Sequence, residues 1–488
     1  MTRATFKCTT SGGWVALTPY DLVILGQGSA AFAAAIKAND LGARTAMIGT
    51  NLTRGTVLGG TCVNVGCMPS KRLITVSTLY HQANHNSFQG IRYEKGRLNF
   101  QNVINQKDVM VRKFRREKYR DVLRNLKNLT YYDDAARFES RTKISIGNRT
   151  IEGRRFVIAT GARARLPSID GIEDVDYLTN EEALNLKELP ESLTVIGGRA
   201  LALEFAQMYA QFGSRVTVLQ RSTRLLPEDE PPVSKSVAEN LKSIGITVQT
   251  GVHIRSIHQK GSGKIVRYSR GGQNLQVESE QVIFATGRTP NTESLGLSKV
   301  GVETDTQGFV KVNREMRTSA PHVWAAGDVT GEPMLETLAA KEGSIAADNA
   351  LSKTGKRKIN LDEVPSAVFT YPEVARVGLT EAQALERGVR CSCVTLPLDL
   401  VPKAHIIADT RGLIKLVTNR DTKQVIGVHI VAPHAADLIH EGVLAVKFGL
   451  TIDDVIDTVH VFPTLSESIK LAAQSFYRDV GALSCCTE

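Results

Sequence analysis

The chain has 488 residues, 42% hydrophobic and 23% charged, with a mean hydropathy of −0.12; at roughly 150 residues per domain this suggests about three domains with large cores. Such a composition excludes a disordered tail, a collagen and an ordinary membrane protein, and seven cysteines are too few, and odd in number, for a disulfide-stapled secreted scaffold. Sixty Lys+Arg against fifty Asp+Glu give +10, but much of the excess falls in residues 111–120 (VRKFRREKYR), where a helix with Phe114, Val122, Leu123 and Leu126 on its apolar side leaves the bases solvated; no nucleic-acid motif accompanies them, so no nucleic acid is expected as a partner.

Residues 1–19 are a short extension without the sustained apolar stretch of a leader, and the longest apolar runs fall short of the ~18 residues of a spanning helix. No membrane partner is expected, and the location expected is cytoplasmic, where thiols stay reduced unless catalysis cycles them. Residues 21–25 read as a strand, Gly26-Gln27-Gly28-Ser29-Ala30-Ala31 as a tight turn entering a helix through about Asn39, and residues 45–48 as a second strand. Gly26 permits the turn, Gly28 lets backbone approach a pyrophosphate, Ala31 allows close packing, and the helix N-terminus presents N–H groups to the anion. The unit repeats: strand 192–196, Gly197-Gly198, helix 200–212, strand 215–219. Each copy later ends in an apolar strand and the same tripeptide, Ala159-Thr160-Gly161 and Ala285-Thr286-Gly287, so two nested dinucleotide folds, and two nucleotides, are expected.

The position after each second strand discriminates the ligands, since a carboxylate there bonds ribose hydroxyls whereas an Arg accommodates a 2′-phosphate. The second copy runs into Gln220-Arg221-Ser222 with Arg224 beyond, which favours NADPH over NADH. The first runs into Gly49-Thr50-Asn51 and also lacks an acid; Thr50 or Asn51 are the neutral substitutes in sequence.

Between the two copies stands Gly59-Gly60-Thr61-Cys62-Val63-Asn64-Val65-Gly66-Cys67-Met68-Pro69-Ser70-Lys71. The flanking glycines and Pro69 suggest a loop entering a helix, whose N-terminal dipole lowers the thiol pKa of Cys67. Lys71, four residues on, falls on the same helical face and stabilises thiolate. Inert cysteines in an ordinary turn are the weaker alternative.

This string resembles the active site of the pyridine nucleotide-disulfide oxidoreductases, homodimeric flavoproteins, and the resemblance extends over nearly the whole chain through Ala325-Ala326-Gly327-Asp328 and the interface signature Phe369-Thr370-Tyr371-Pro372-Glu373-Val374-Ala375. It implies an α/β protein of two nested dinucleotide-binding (Rossmann-like) domains plus an α+β C-terminal dimerisation domain: an FAD-binding domain in two parts (20–165 and 288–360), an NADPH-binding domain (166–287) and an interface domain (361–488). It implies that Cys62 is the exchange sulfur, Cys67 the charge-transfer sulfur, and Glu204 the partner of Lys71. FAD is then assigned to Gly26, Gly28, Ala31, Gly60, Thr61, Lys71, Thr160, Gly161, Gly327 and Asp328, and NADPH to Gly197, Gly198, Glu204, Arg221 and Gly287.

The family delivers a proton to a leaving thiolate from a His in an HPTxxE string. Here it reads Phe462-Pro463-Thr464-Leu465-Ser466-Glu467; Glu467 remains, the acid has become Phe462, and His460 lies two residues upstream. The chain ends Cys485-Cys486-Thr487-Glu488, a thiol pair that suits a soft metal. Both anomalies are explained by a metal substrate without a thiol leaving group. They resemble the mercuric reductase subgroup, whose C-terminal double cysteine serves the other subunit and whose second nucleotide turn also lacks the middle glycine, here Arg199. That resemblance implies Hg(II) as substrate, presented as thiolate complexes, with Cys62, Cys67, Cys485 and Cys486 as metal ligands and Tyr177 as an active-site Tyr. Two departures are Phe462, where well-known members carry Tyr, and the stretch ahead of the first strand, where many members carry a heavy-metal domain with a Cys-x-x-Cys pair and residues 1–19 hold the single Cys8; a separate metal-delivery protein is a further partner to consider. Cys391 and Cys393 fall on one face of a strand; burial as small apolar residues is the stronger reading and a metal-relay role the weaker. The rivals are a large thioredoxin reductase or other disulfide reductase of the family, and a non-catalytic thiol flavoprotein that sequesters metal.

Overall fold

The computed structural model describes residues 18–49, 58–85, 88, 90–91, 96–352 and 356–482. Its contacts divide the chain into two units, one of residues 1–56, 123–161 and 291–358, the other of residues 57–122, 162–290 and 359–488.

The first unit is built on a five-stranded parallel sheet in the order Val323–Ala325, Phe156–Ile158, Leu22–Leu25, Thr45–Gly49, Leu129–Asp133. The central strand, LVIL, is wholly buried, as expected of a parallel strand covered on both faces; each side chain contributes about 1.5–3 kcal/mol of burial. Helix Ser29–Asp40 lies against helix Glu336–Leu351. Small residues are buried on both helices, Ala30, Ala31, Ala34 and Ala35 on one and Gly343, Ala346 and Ala347 on the other. The approach is so close that a Cβ on Gly343 would stand 2.0 Å from the carbonyl oxygen of Ala30.

In the second unit the redox segment forms helices Thr61–Val65, Cys67–Asn84 and Phe100–Arg115, the last capped by the Asn99 side chain. By sequence this segment belongs to the first part of the FAD-binding domain. Its apolar side chains Leu73, Phe100 and Ile104 instead share a core with Phe205, Tyr209 and Phe212 of helix Ala200–Phe212, which is why it groups with the second unit. The basic stretch continues the third of these helices as one π-helical turn, Arg116–Arg120. Its charges are mostly exposed while Val111 and Tyr119 are buried.

Four parallel strands, ordered Thr247–Thr250, Arg215–Gln220, Ser192–Ile196, Gln281–Phe284, form the second nucleotide fold. The C-terminal part is a five-stranded antiparallel sheet ordered Ser366–Val368, Glu373–Gly378, Val425–Ala432, Leu413–Asn419, Cys391–Pro397, with helices Ala435–Phe448 and Glu467–Gln474. Phe448, Val461 and Val459 of this part are 68%, 75% and 86% exposed, an apolar surface of the kind that marks a subunit contact. Among the described residues no helix is long and apolar enough to cross a membrane.

Beside Gly343, Glu342 is buried and accepts a hydrogen bond from the Gly327 amide at 2.8 Å. Burial, reinforced by neighbouring Asp328, pushes its carboxyl from 4.5 to about 7, against the opposing pull of the Gly327 N–H. A carboxyl whose folded pKa is raised stabilises the fold below its unfolded value and loses that contribution as pH rises through the folded one. Stability is therefore expected to fall between about pH 4.5 and 7, by an order of magnitude of ~3 kcal/mol. Glu342→Gln, which keeps an acceptor for Gly327, should raise the thermal midpoint at pH 8 and give no gain at pH 4.5; equal midpoints at both would refute the assignment.

Candidate functional site

The two nucleotide turns have the same internal logic. Gly26 has φ 136° and Gly197 φ 135°, a region that L side chains rarely adopt. A Cβ on Gly26 would lie 2.0 Å from the Ala159 carbonyl oxygen, and one on Gly197 would lie 2.4 Å from that of Ala285. Each opening glycine is thus required by the alanine of its own Ala-Thr-Gly tripeptide, which explains why the two motifs recur together. The backbone repeats as well: Gly26 N–H donates to Ile48 and Ala159 N–H to Leu25, while Gly197 N–H donates to Leu219 and Ala285 N–H to Ile196. The helices that follow have no side-chain cap and no acid in the first turn, leaving N–H groups suited to an anion. Thr160 is committed elsewhere, its hydroxyl donating to the Asn291 carbonyl at 2.8 Å, and Gly161 accepts from Asn291 N–H. Gly327, at φ 78°, and Asp328 end the strand Val323–Ala325.

At the second turn, Gly198 is packed against Gln220, whose Cγ would be 2.7 Å from an added Cβ. Arg199 forms an ion pair with Glu228, and Arg224 donates to the carbonyls of Pro227 and Asp229. Of the two arginines that follow the strand end, Arg221 is exposed and Arg224 half-buried, and Arg221 is the one suited to meet a phosphate. In the first fold Gly49 closes its strand. The space its side chain would fill holds Tyr131 Oη, 2.3 Å from an added Cβ, and Gln27 Oε1, 2.6 Å from it. The phenol donates to the amide oxygen at 2.9 Å, and burial, with the Asp133 charge, pushes Tyr131 up to about 12, so it stays a neutral donor. Thr50 and Asn51 lie outside the described residues.

The redox loop places Cys62 in helix Thr61–Val65 and Cys67 as the first residue of helix Cys67–Asn84, both half-buried. Gly66 joins the helices, and a Cβ on it would meet the Thr61 carbonyl oxygen at 2.8 Å. Helix Cys67–Asn84 has no side-chain N-cap and no acid in its first turn, the setting that favours a thiolate. Lys71 Nζ lies 2.7 Å from Glu204 Oε2; Glu204 is 6% exposed and Lys71 33% by side chain. Glu204 Oε1 accepts from Phe369 N–H at 3.0 Å, and the ammonium sits 4.7 Å from the centre of the Phe369 ring, within cation–π range.

Four groups that the sequence did not single out hold the loop. Arg115 Nε donates to Asn64 Oδ1 at 2.8 Å, Asn64 Nδ2 to Gly60 O at 3.1 Å, Asn180 Nδ2 to Val65 O at 2.7 Å, and Arg288 Nη2 to Thr61 Oγ1 at 3.2 Å. One arginine of the supposedly solvated run is therefore a loop anchor. Gly287, φ 109°, faces the Arg165 guanidinium. Tyr177 packs edge-on against Phe284 with ring centres 5.5 Å apart.

His460 does not take the place left by Phe462. Its Nε2 pairs with Glu441 Oε1 at 2.8 Å and its Nδ1 with Thr458 O at 2.9 Å, and the Glu441 bond raises its pKa. Glu467 Oε2 is buried without a hydrogen-bond partner among the described residues, and burial raises that carboxyl. Phe462 is 48% exposed. Cys8, Cys485 and Cys486 lie outside the described residues.

Residues 20–343 match the model of the pyridine nucleotide-disulphide oxidoreductases, and residues 364–473 match that family's dimerisation domain. The chain is 43% identical to a mercuric reductase of Staphylococcus aureus over 467 residues, 96% of this chain and 84% of that one. It is 40% identical to a mercuric reductase of Streptomyces lividans, over 96% of this chain and 98% of that one. Among solved structures, the HOCl-induced flavoprotein disulfide reductase RclA from Escherichia coli superimposes with a TM-score of 0.83 at 29% identity, covering 94% of this chain and all of that one. With the paired nucleotide turns and the redox loop in place, the chain belongs to the pyridine nucleotide-disulphide oxidoreductase family and carries its dimerisation domain.

Proposed function

We propose that this chain is a homodimeric, NADPH-dependent, FAD-containing enzyme that reduces Hg(II) to Hg(0). The observation that carries the proposal is a thiol pair at an uncapped helix N-terminus, with the charged Lys71–Glu204 pair behind it, in a chain whose proton-donor position is Phe462 and whose nearby His460 is held by Glu441. Such a site has thiolates to give a soft metal, while Phe462 has no proton to give a leaving thiol and His460 is already engaged by Glu441 and Thr458.

The first turn, Gly26 to Ala31, with Asp328 is the cradle for FAD, and the second, Gly197 to Ala200 with Arg221, that for NADPH. Their uncapped helix ends and the absence of an acid at Gln220 support this assignment. When bound, the two nucleotides supply the electron pair. The chain supplies metal handling. Hg(II) arrives as a dithiolate complex and passes from Cys485 and Cys486 of one subunit to Cys62 and Cys67 of the partner subunit. In each exchange one protein sulfur bonds to mercury as one outgoing thiolate departs. Lys71, fixed by Glu204, offsets negative charge on the same helical face as Cys67, and two electrons convert the bound ion to Hg(0), which leaves both sulfurs as thiolates.

With no carboxylate at Gly49, the ribose contact of the first fold falls to the neutral Tyr131–Gln27 pair, which occupies that side chain's place.

Three outcomes are expected. Purified holoenzyme with excess small thiol should oxidise NADPH when Hg(II) is added and release volatile mercury; turnover with oxidised thioredoxin or lipoamide, and none with Hg(II), would overturn the assignment. Cys485→Ala/Cys486→Ala should leave the flavin spectrum intact but lower Hg(II) turnover by about tenfold or more once free thiol exceeds the millimolar effective concentration of a tethered pair; a parallel loss of flavin would instead make the tail structural. Tyr131→Phe and Gln27→Ala should each raise the FAD dissociation constant by about three- to tenfold, the range of one hydrogen bond, as read from flavin fluorescence with circular dichroism unchanged. Unaltered FAD affinity in both variants removes the pair from ribose recognition.

A further inference from the structure

Cys391 and Cys393 occupy strand Cys391–Pro397, at the edge of the C-terminal sheet. Two residues apart on a strand, they face the same side, and both pack against the same small apolar cluster. The Glu381 carboxylate is a charged neighbour of Cys393. That carboxylate is held by Lys415, whose Nζ lies 2.7 Å from Glu381 Oε2 and 2.8 Å from Glu230 Oε2. Lys415 is 5% and Glu230 2% exposed by side chain, whereas Glu381 is 47% exposed. Leu379, Ala384 and Val417 form an apolar collar around the pair, while both cysteines remain half-exposed. Burial, helped by the Glu381 charge, pushes the Cys393 thiol up to about 12.

We infer that Cys391 and Cys393 form a second dithiol site, for a thiophilic ion satisfied by two sulfurs, and that in this protein it takes Hg(II). Among the described residues no group of three or more His, Cys, Asp or Glu side chains is placed to hold a metal ion. Zinc, which takes four ligands, is therefore poorly served, whereas a soft ion content with two thiolates is well served. Loading is ligand exchange without redox change. Two Hg–S bonds to small thiolates break, two Hg–S bonds to Cys391 and Cys393 form, and the two protein thiol protons pass to the departing thiolates. The chelate advantage comes from the strand, which holds both sulfurs together before the metal arrives. The site stands apart from the redox pair and the tail, and does not rest on the chain being a mercury reductase.

The test uses full-length holoenzyme without NADPH, with inorganic Hg(II) supplied as its complex with a monothiol. Mercury retained per chain is measured after dialysis against that monothiol. Cys391→Ser/Cys393→Ser should retain one Hg(II) fewer per chain than the natural protein, with flavin spectrum, thermal midpoint and NADPH-driven Hg(II) turnover unchanged. Each single Cys→Ser variant should lose the same ion, because one thiolate has no chelate advantage, and Cys485→Ala/Cys486→Ala should retain it. Equal retention by the natural and doubly substituted proteins, or full retention by either single variant, would falsify the dithiol site. Failure here would leave Hg(II) turnover untouched, and loss of turnover would leave this retention measurement untouched.

Discussion

One buried carboxylate organises the second unit. Glu204, on the helix of the second nucleotide fold, takes the Lys71 ammonium on one oxygen and the Phe369 amide on the other. It thereby ties the redox helix, the nucleotide fold and the start of the C-terminal domain. One turn along the helix, Gln207 accepts from Tyr371 N–H and donates to Tyr371 O. Two side chains three residues apart thus read alternate residues of the connection between strands Ser366–Val368 and Glu373–Gly378. A charge-assisted hydrogen bond contributes about 1.5–3 kcal/mol, but the cost of desolvating Glu204 offsets much of that. The gain is positional: Lys71 is held at one place on the helix that begins with Cys67, instead of ranging over the rotamers of a long side chain.

The same economy explains the duplicated nucleotide folds. A strand entering a helix through a glycine at φ near 135° allows the neighbouring parallel strand to end directly against it, and the carbonyl that approaches belongs in both copies to the alanine of Ala-Thr-Gly. Neither motif is independent of the other, and a chance glycine turn would have no reason to be matched by that ending more than eighty residues later. Duplication was legible because the constraint acts on backbone, where few residue types are permitted. Strand and helix positions around both turns were legible for a related reason: runs such as LVIL and SLTVI bury both faces and leave little ambiguity of period.

What sequence could not supply lies in side chains that meet across long separations. Arg115 stands in a basic run whose other members are mostly solvated, and only the fold brings it to Asn64. Arg288 and Thr61 are separated by 227 positions, and Asn180 reaches Val65 across 115. No local period marks any of these. The missing acid of the first fold is similar. Sequence pointed along the chain to Thr50 and Asn51, whereas the space at Gly49 is filled from the neighbouring strand by Tyr131 and from the turn by Gln27.

Where the family's string carries a His this chain has Phe462, and the Glu467 carboxyl five residues on is in an unusual state. In a His–Glu couple each partner offsets the other's burial; here Glu467 keeps a buried oxygen without a partner among the described residues, and its carboxyl is raised accordingly. His460 is close enough for its charge to lower that pKa, yet both its ring nitrogens are already engaged by Glu441 and Thr458. Recruiting it would break a hydrogen bond to a carboxylate, the very interaction that raises its pKa, before any proton reached a substrate. A relay of that kind would be costly to assemble, and a reaction that moves a metal between sulfurs has no need of it.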